Sequence, residues 1–255
     1  MITIREYVRP ATLEEAWTLN QKRSNRILGG MLWLKMQRRA VGTAIDLSAL
    51  GLDTIEETAD GFSVGAMVSL RSLETNDALN ARTNGAVREA LRHIVGVAFR
   101  NTATVGGSVW GRFGFSDLLT VLLSMNASVE LYRGGIVPLS QFVGMPFDRD
   151  ILVRIHIPKE DAVYCYRSVR PTKTDFPTLT CAAARLSDGS YRLAVGARPG
   201  RAVVLTAKGT PETVAEQAAA HIVTGSNLRG SAAYRTRLVR TLVRRAAESL
   251  EGGGK

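Results

Sequence analysis

Apolar and polar positions alternate from Ile2 to Tyr7, which predicts a short strand at the start of the chain. The period then lengthens. Leu13, Ala16, Trp17 and Leu19 share one side of a helix opened by Pro10-Ala11-Thr12, with Thr12 as N-cap and Glu15 completing a capping box. Arg26 to Leu28 reads as a buried strand running into Gly29-Gly30, and Ala44 to Leu47 as another strand. Thr54–Thr58 and Phe62–Ala66 form a hairpin around Asp60-Gly61. Ser69 caps a short helix. Val87 to Val95 carries Val87, Ala90, Leu91 and Ile94 on one helical face, and the apolar run Leu118–Leu123 suits a buried helix. Ala127–Tyr132 and Ile151–Ile157 read as strands. Beyond Ala162 the pattern predicts strands at Val163–Arg167, Thr178–Leu186 and Tyr191–Ala197, then helices at Pro211–Val223 and Ala232–Leu250.

Composition adds little until it is divided. The 255 residues are 45% hydrophobic and 22% charged, ordinary values for a globular chain. No apolar run approaches the roughly 20 residues of a membrane span, and no secretory signal pattern opens the chain, so a cytoplasmic location is the default expectation. The net charge of +10 is uneven: residues 1–162 carry 18 Lys/Arg against 17 Asp/Glu, and residues 163–255 carry 15 against 6. That asymmetry points to two units with different surfaces, the second suited to an acidic partner or anionic ligand. Nucleic acid is a poor candidate, because the basic half has few aromatics and no recognised binding motif. Cys165 and Cys181 are too few for an iron–sulfur site, and His93, His156 and His221 lack metal-ligand spacing, so no resident metal is expected.

The candidate chemistry lies in two glycine pairs. Gly29-Gly30 follows Leu28, and Gly106-Gly107 sits in Thr104-Val105-Gly106-Gly107-Ser108, with Asp117 nine residues beyond. Glycine pairs leave no Cβ in the way, so main-chain N–H groups can approach an anion closely. They are also ordinary turns; Asp117 is equally placed to cap a helix from Leu118. No nucleophile or acid–base pair accompanies them, so no catalytic side chain is assigned.

Several motifs in order resemble the FAD-binding subunits of molybdenum hydroxylases, the family of xanthine dehydrogenase and carbon monoxide dehydrogenase flavoproteins. They are Tyr7-x-x-Pro10, Leu28-Gly29-Gly30, Arg100-Asn101-Thr102-Ala103-Thr104-Val105-Gly106-Gly107-Ser108, Ser116-Asp117-Leu118, Ile151-Leu152-Val153, Asp175-Phe176 and Leu228-Arg229-Gly230-Ser231 with Tyr234-Arg235. The resemblance implies an α+β chain: a two-subdomain α/β FAD-binding domain at 1–161 (subdomains about 1–53 and 54–161) and a small α+β C-terminal domain at 162–250; the glycine-rich end predicts a disordered tail at 251–255. It implies FAD as cofactor and a heteromeric oxidoreductase complex. A molybdenum–pterin subunit oxidises substrate, a [2Fe–2S] subunit relays electrons, and this subunit's FAD passes them to NAD⁺ or another acceptor. A cofactor-poor scaffold subunit of the same kind of complex is the alternative.

Carried over residue by residue, Gly29, Gly30, Gly106 and Gly107 would present N–H groups to the diphosphate, and Thr104 and Ser108 would add hydroxyl contacts. Asp117 would accept from the cofactor's hydroxyls. Leu152 would pack by the isoalloxazine, and Arg167 would be a basic contact, although it also reads as a surface arginine of a basic domain. The family usually follows its first glycine pair with small polar residues; here Met31 and Leu32 follow, then Trp33. Their side chains offer no hydroxyl, which predicts weaker FAD binding, while their backbone N–H groups remain available.

Overall fold

The structure, a computed structural model, describes residues 1–252. Three sheets organise it. β1 (Thr3–Val8), β2 (Arg26–Leu28) and β3 (Ala40–Asp46) form a parallel sheet in the order β1-β3-β2, with α1 (Leu13–Asn20) as the crossover. The capping box forms, with Thr12 Oγ1 accepting from the Glu15 N–H at 3.1 Å. Its reciprocal half shifts by one residue, since Glu15 accepts from the N–H of Ala11 at 2.8 Å.

The second sheet is antiparallel, in the order β4-β5-β8-β6-β7: β4 (Ile55–Glu57), β5 (Gly61–Gly65), β6 (Ser128–Leu131), β7 (Gly135–Pro138) and β8 (Leu152–Pro158). Between β5 and β6 lie six helices: α2 (Leu70–Glu74), α3 (Asp77–Arg82), α4 (Ala86–Leu91), α5 (Val97–Thr102), α6 (Val105–Trp110) and α7 (Asp117–Ser124). Every residue of α7 is buried, as its apolar run requires. The short α8 (Leu139–Phe142) follows β7. A buried ion pair braces the helices: Arg100 donates from Nε to Glu74 at 2.6 Å and from Nη1 to the Ile94 carbonyl at 3.1 Å. Arg100 is thus a strut that seats the segment leading into the second glycine pair.

The third sheet, β12-β11-β10-β9, is antiparallel: β9 (Ala162–Val169), β10 (Leu179–Leu186), β11 (Tyr191–Gly196) and β12 (Val203–Ala207). The sequence pattern foresaw three of these strands. β12 escaped it because Arg198-Pro199-Gly200-Arg201 looks like a loop and the strand is a partly exposed edge. α9 (Pro211–His221) and α10 (Ala232–Glu251) cover one face of the sheet, against Leu179, Cys181 and Ala183. Ala182, Ala184 and Ala194 face the main core with α7. Burial on both faces explains the small residues of Cys181-Ala182-Ala183-Ala184, since adjacent side chains point to opposite sides of a strand. Thr120 of α7 and Thr180 of β10 meet oxygen to oxygen at 2.9 Å.

The boundary expected at 161/162 falls between β8 and β9, and the main core crosses it, taking in Tyr164, Tyr166 and Ala182 beside Phe62 and Leu118. Of the expected tail, Glu251 ends α10 and Gly252 follows in a turn; Gly253, Gly254 and Lys255 lie outside the described residues. Arg235 is fully buried and donates to the carbonyls of Thr178, Gly225 and Gly230 and to Asn227 Oδ1, fixing the loop before α10. No helix of the described residues is long and apolar enough to cross a membrane.

Candidate functional site

The two glycine pairs are brought into contact. A Cβ on Gly30 would lie 2.0 Å from the Thr102 carbonyl oxygen, and one on Gly29 would lie 2.6 Å from Thr104 Oγ1. Only residues without side chains let the end of β2 and the start of α6 approach this closely. Two clefts flank the contact. The larger, about 460 Å³, is lined by Leu28, Gly29, Thr104, Gly106, Gly107 and Leu152, together with Arg23, Arg26, Trp110, Phe147 and Arg149. The smaller, about 190 Å³, is lined by Ser108 and Asp117, with Trp33, Ile94, Phe113, Phe115, Arg170 and Phe176. Gly30, Met31, Leu32 and Arg167 line neither.

The two jaws differ in what their backbone has left to offer. Among the described residues, the N–H groups of Gly29, Gly30, Met31 and Leu32 have no acceptor. Met31 holds φ at 57°, a left-handed value rare for a residue with a long side chain. A left-handed residue in a turn gathers neighbouring N–H groups into an anion-binding nest. Of these four residues only Gly29 lines the larger cleft, and the other three follow it in the chain.

The second jaw has its donors engaged. Val105 N–H donates to the Val68 carbonyl and Gly106 N–H to the Ala66 carbonyl, both at 2.8 Å. Gly107 N–H donates to Thr104 Oγ1 at 3.2 Å, making Thr104 the N-cap of α6. The Ser108 hydroxyl donates to the Thr104 carbonyl at 2.8 Å. Gly106 is needed for close approach, since its Cβ would sit 2.7 Å from both the Cβ and the carbonyl oxygen of Ala66. The expectation that Gly106 offers its N–H to a ligand is therefore corrected: a sheet-side carbonyl already holds it.

Asp117 is buried, and its carboxylate accepts from Arg170 Nη2 and the Tyr166 hydroxyl. Ser116, one residue earlier, supplies the N-cap of α7. Burial pushes the Asp117 carboxyl up from its usual range, while Arg170 and Tyr166 pull it back. The Tyr166 phenol is raised well above its ordinary value, by burial first and then by the Asp117 charge, so it stays a donor. The expected cofactor-hydroxyl acceptor is thus a carboxylate held by two side chains of the third sheet and its following loop.

Arg167 is a clearer correction. Its guanidinium turns to Ser249 of α10, away from both clefts. In β9, Cys165 and Arg167 face the helices, whereas Tyr164 and Tyr166 face the main core. The arginine near Asp117 is Arg170, just past the strand.

Two groups were missed by sequence reasoning. Trp33 meets Phe113 at 5.3 Å and Phe176 at 6.2 Å, and Phe115 meets Phe176 edge-on at 4.5 Å, centroid to centroid. This cluster ties the loop after the first jaw to the loop after β9; the pair Phe113-Gly114-Phe115 was its available signal. The other group is Arg23, Arg26 and Arg149 on the wall of the larger cleft, assembled from segments too distant for a motif.

Residues 3–160 match the family described as the FAD binding domain in molybdopterin dehydrogenase. The chain belongs to this family. It is an FAD-binding protein of the molybdopterin dehydrogenase type. It is similar to the nicotine 6-hydroxylase medium subunit of Paenarthrobacter nicotinovorans, 28% identical over 270 residues and 94% of each chain. It is also similar to the uncharacterised protein YgfM of Escherichia coli (strain K12), 27% identical over 248 residues and 94% of each. Its fold matches a chain of the carbon monoxide dehydrogenase from Hydrogenophaga pseudoflava with a TM-score of 0.86, at 24% identity and 97% coverage of each.

Proposed function

We propose that this chain is the FAD-binding electron-transfer subunit of a molybdenum hydroxylase-type complex. It takes electrons from the [2Fe–2S] clusters of a partner subunit, upstream of which a molybdenum–pterin subunit oxidises the substrate, and passes them to NAD⁺ or another acceptor. The observation that carries this is the run of four open N–H groups, Gly29 to Leu32, at the jaw beside the larger cleft. FAD, when bound, supplies the redox chemistry linking one-electron donors to the final acceptor.

The chain's own residues bind and orient. The N–H groups of Gly29, Gly30, Met31 and Leu32 would hold the diphosphate as oriented dipoles. Gly106 and Gly107 allow the jaws to close, and Thr104 Oγ1 fixes the α6 start that faces them. Leu28 and Leu152 are apolar walls of the larger cleft. Ser108 and Asp117 belong to the smaller cleft, where Asp117 holds Arg170 and Tyr166 in place. Titrating FAD into the cofactor-free chain is expected to give saturable binding with flavin fluorescence quenching. A chain that takes up no FAD, alone or in its complex, would overturn this reading.

The engaged donors of the second jaw and the small second cleft favour a second reading, a scaffold subunit with little cofactor. Stable assembly of the complex at full subunit stoichiometry but without flavin would select it.

A further inference from the structure

After the glycine pair, Met31 and Leu32 bring no polar side chain to the first jaw, which offers a diphosphate backbone dipoles but no charge. On the wall of the larger cleft, Arg26 Nη1 donates to the Arg23 carbonyl at 2.7 Å, and Arg149 Nη2 donates to the same carbonyl oxygen at 3.1 Å. Two guanidinium groups therefore converge on one acceptor. Arg149 Nη1 also holds the Asn20 carbonyl at 2.6 Å, and Arg26 Nη1 the Asn25 carbonyl. Among the described residues no carboxylate lies within 4.0 Å of either guanidinium.

The acids in the same wall are committed to backbone. Asp150 accepts from the N–H groups of Arg133, Gly134 and Ile151, and Asp148 from that of Asp150. Arg26 Nε and Nη2 and Arg149 Nε have no acceptor among the described residues. Arg26 is pulled below its ordinary basicity by burial first and by the nearby charges of Arg39 and Arg149. Like charges held together by carbonyls, with donors in reserve, form a site that an anion relieves.

Strand geometry sets the reach. Arg26 and Leu28 lie on the same side of β2, and Gly29 is three residues, roughly 10 Å along the strand, from Arg26. The Arg26 guanidinium is turned toward the Arg23 and Asn25 carbonyls, and Arg26 and Gly29 line the same larger cleft.

We propose that Arg26 and Arg149 form the cationic wall for the diphosphate of the bound dinucleotide, supplying in this chain the recognition that Met31 and Leu32 do not. This rests on the larger cleft being the FAD site. The chemistry is charge-assisted hydrogen bonding from guanidinium to phosphate oxygen, with backbone carbonyls keeping the two side chains in position.

Calorimetric titration of the full chain with FAD, and separately with inorganic pyrophosphate, tests it. Arg26→Gln or Arg149→Gln is expected to weaken FAD binding roughly tenfold to a hundredfold, the loss of a charged hydrogen bond, and to flatten its salt dependence. Arg26→Lys should recover part of the loss, and Arg88→Gln, an exposed charge outside the clefts, should change nothing. Circular dichroism confirms that each variant is folded; if Arg149→Gln is not, Arg26→Gln with its lysine counterpart decides. Wild-type affinity and salt dependence in the folded Arg26 and Arg149 variants would overturn the proposal and leave the FAD reading standing. No FAD binding by the wild type, with pyrophosphate binding that depends on the two arginines, would remove the FAD reading and keep the anion wall. If pyrophosphate binding is absent or indifferent to the arginines as well, the wall itself is refuted.

Discussion

The two glycine jaws meet in space but have been used in opposite ways. The second, Thr104 to Ser108, has hydroxyl side chains at both ends, and its N–H groups hold α6 to Ala66, Val68 and Thr104. The first, Gly29 to Leu32, has no polar side chain after its glycines and keeps its N–H groups open, with Met31 turned to a left-handed φ of 57°. Side-chain identity and donor availability are thus separate properties of a glycine loop. A motif guarantees that the backbone can approach; it does not say which carbonyl claims the N–H. The same contrast extends to the clefts: Arg23, Arg26 and Arg149 share the wall of the larger one with Asp148 and Asp150, and aromatic rings line the smaller one.

The sharpest way to break the comparison is at the buried pair behind the second jaw. Arg170→Met strands the Asp117 carboxylate without its ion partner, and stability is expected to fall by about 3–5 kcal/mol, the cost typical of breaking a buried pair. Urea unfolding measures it. An unchanged midpoint would mean that Asp117 is free to serve a ligand.

Next come the glycines themselves. Gly30→Ala drives a Cβ against the Thr102 backbone, while Gly107→Ala meets only Thr104 Oγ1 at 3.0 Å. Gly30→Ala is expected to cost about 1–3 kcal/mol as an overpacking change and to reduce the flavin content of the purified chain. Gly107→Ala is expected to do less of both. Thermal unfolding and the flavin-to-protein ratio compare them, and equal effects would erase the distinction between the jaws.

A smaller effect is expected at Met31. Threonine is β-branched and ill-suited to a positive φ, so Met31→Asn is the better probe. It is expected to tighten FAD binding by a few-fold, read by flavin fluorescence, because a short amide accepts this conformation and adds a donor. The smallest effect concerns the surface pair Arg229–Asp175, at 3.0 Å, beside the aromatic cluster. Arg229 and the Phe176 N–H hold the Asp175 carboxyl below its usual value. With a depressed folded-state value, the pair's contribution is present at neutral pH and is lost as pH falls through that value. The difference in midpoint between the wild type and Arg229→Gln should therefore be constant above about pH 4 and shrink below it.

Much of the fold could be read from local pattern, because its signals are local. Thr12 and Ser69 cap the helices expected of them, and the run Leu118–Leu123 is buried as its length suggests. Gly29, Gly30, Gly106 and Gly107 were found as a set because glycine marks close backbone approach. What escaped depends on partners far along the chain. Arg149 joins the cleft through the Asn20 and Arg23 carbonyls, across more than a hundred residues. Arg167 was named as the basic contact because a sequence match does not reveal which face of β9 a residue takes. The Gly106 N–H was assigned to a ligand because nothing near Gly106 in sequence announces the Ala66 carbonyl.

The contact between Gly30 and Thr102 also bears on the order in which the molecule is made. Its two sides are separated by about seventy residues, and the arginine wall closes a still longer loop, so the chain must order both ends before either contact repays the lost freedom. Refolding from urea is accordingly expected to restore helix and strand signals before the chain regains FAD binding. Loading is then a late event on an assembled scaffold, and the cofactor arrives at a cleft it had no part in building.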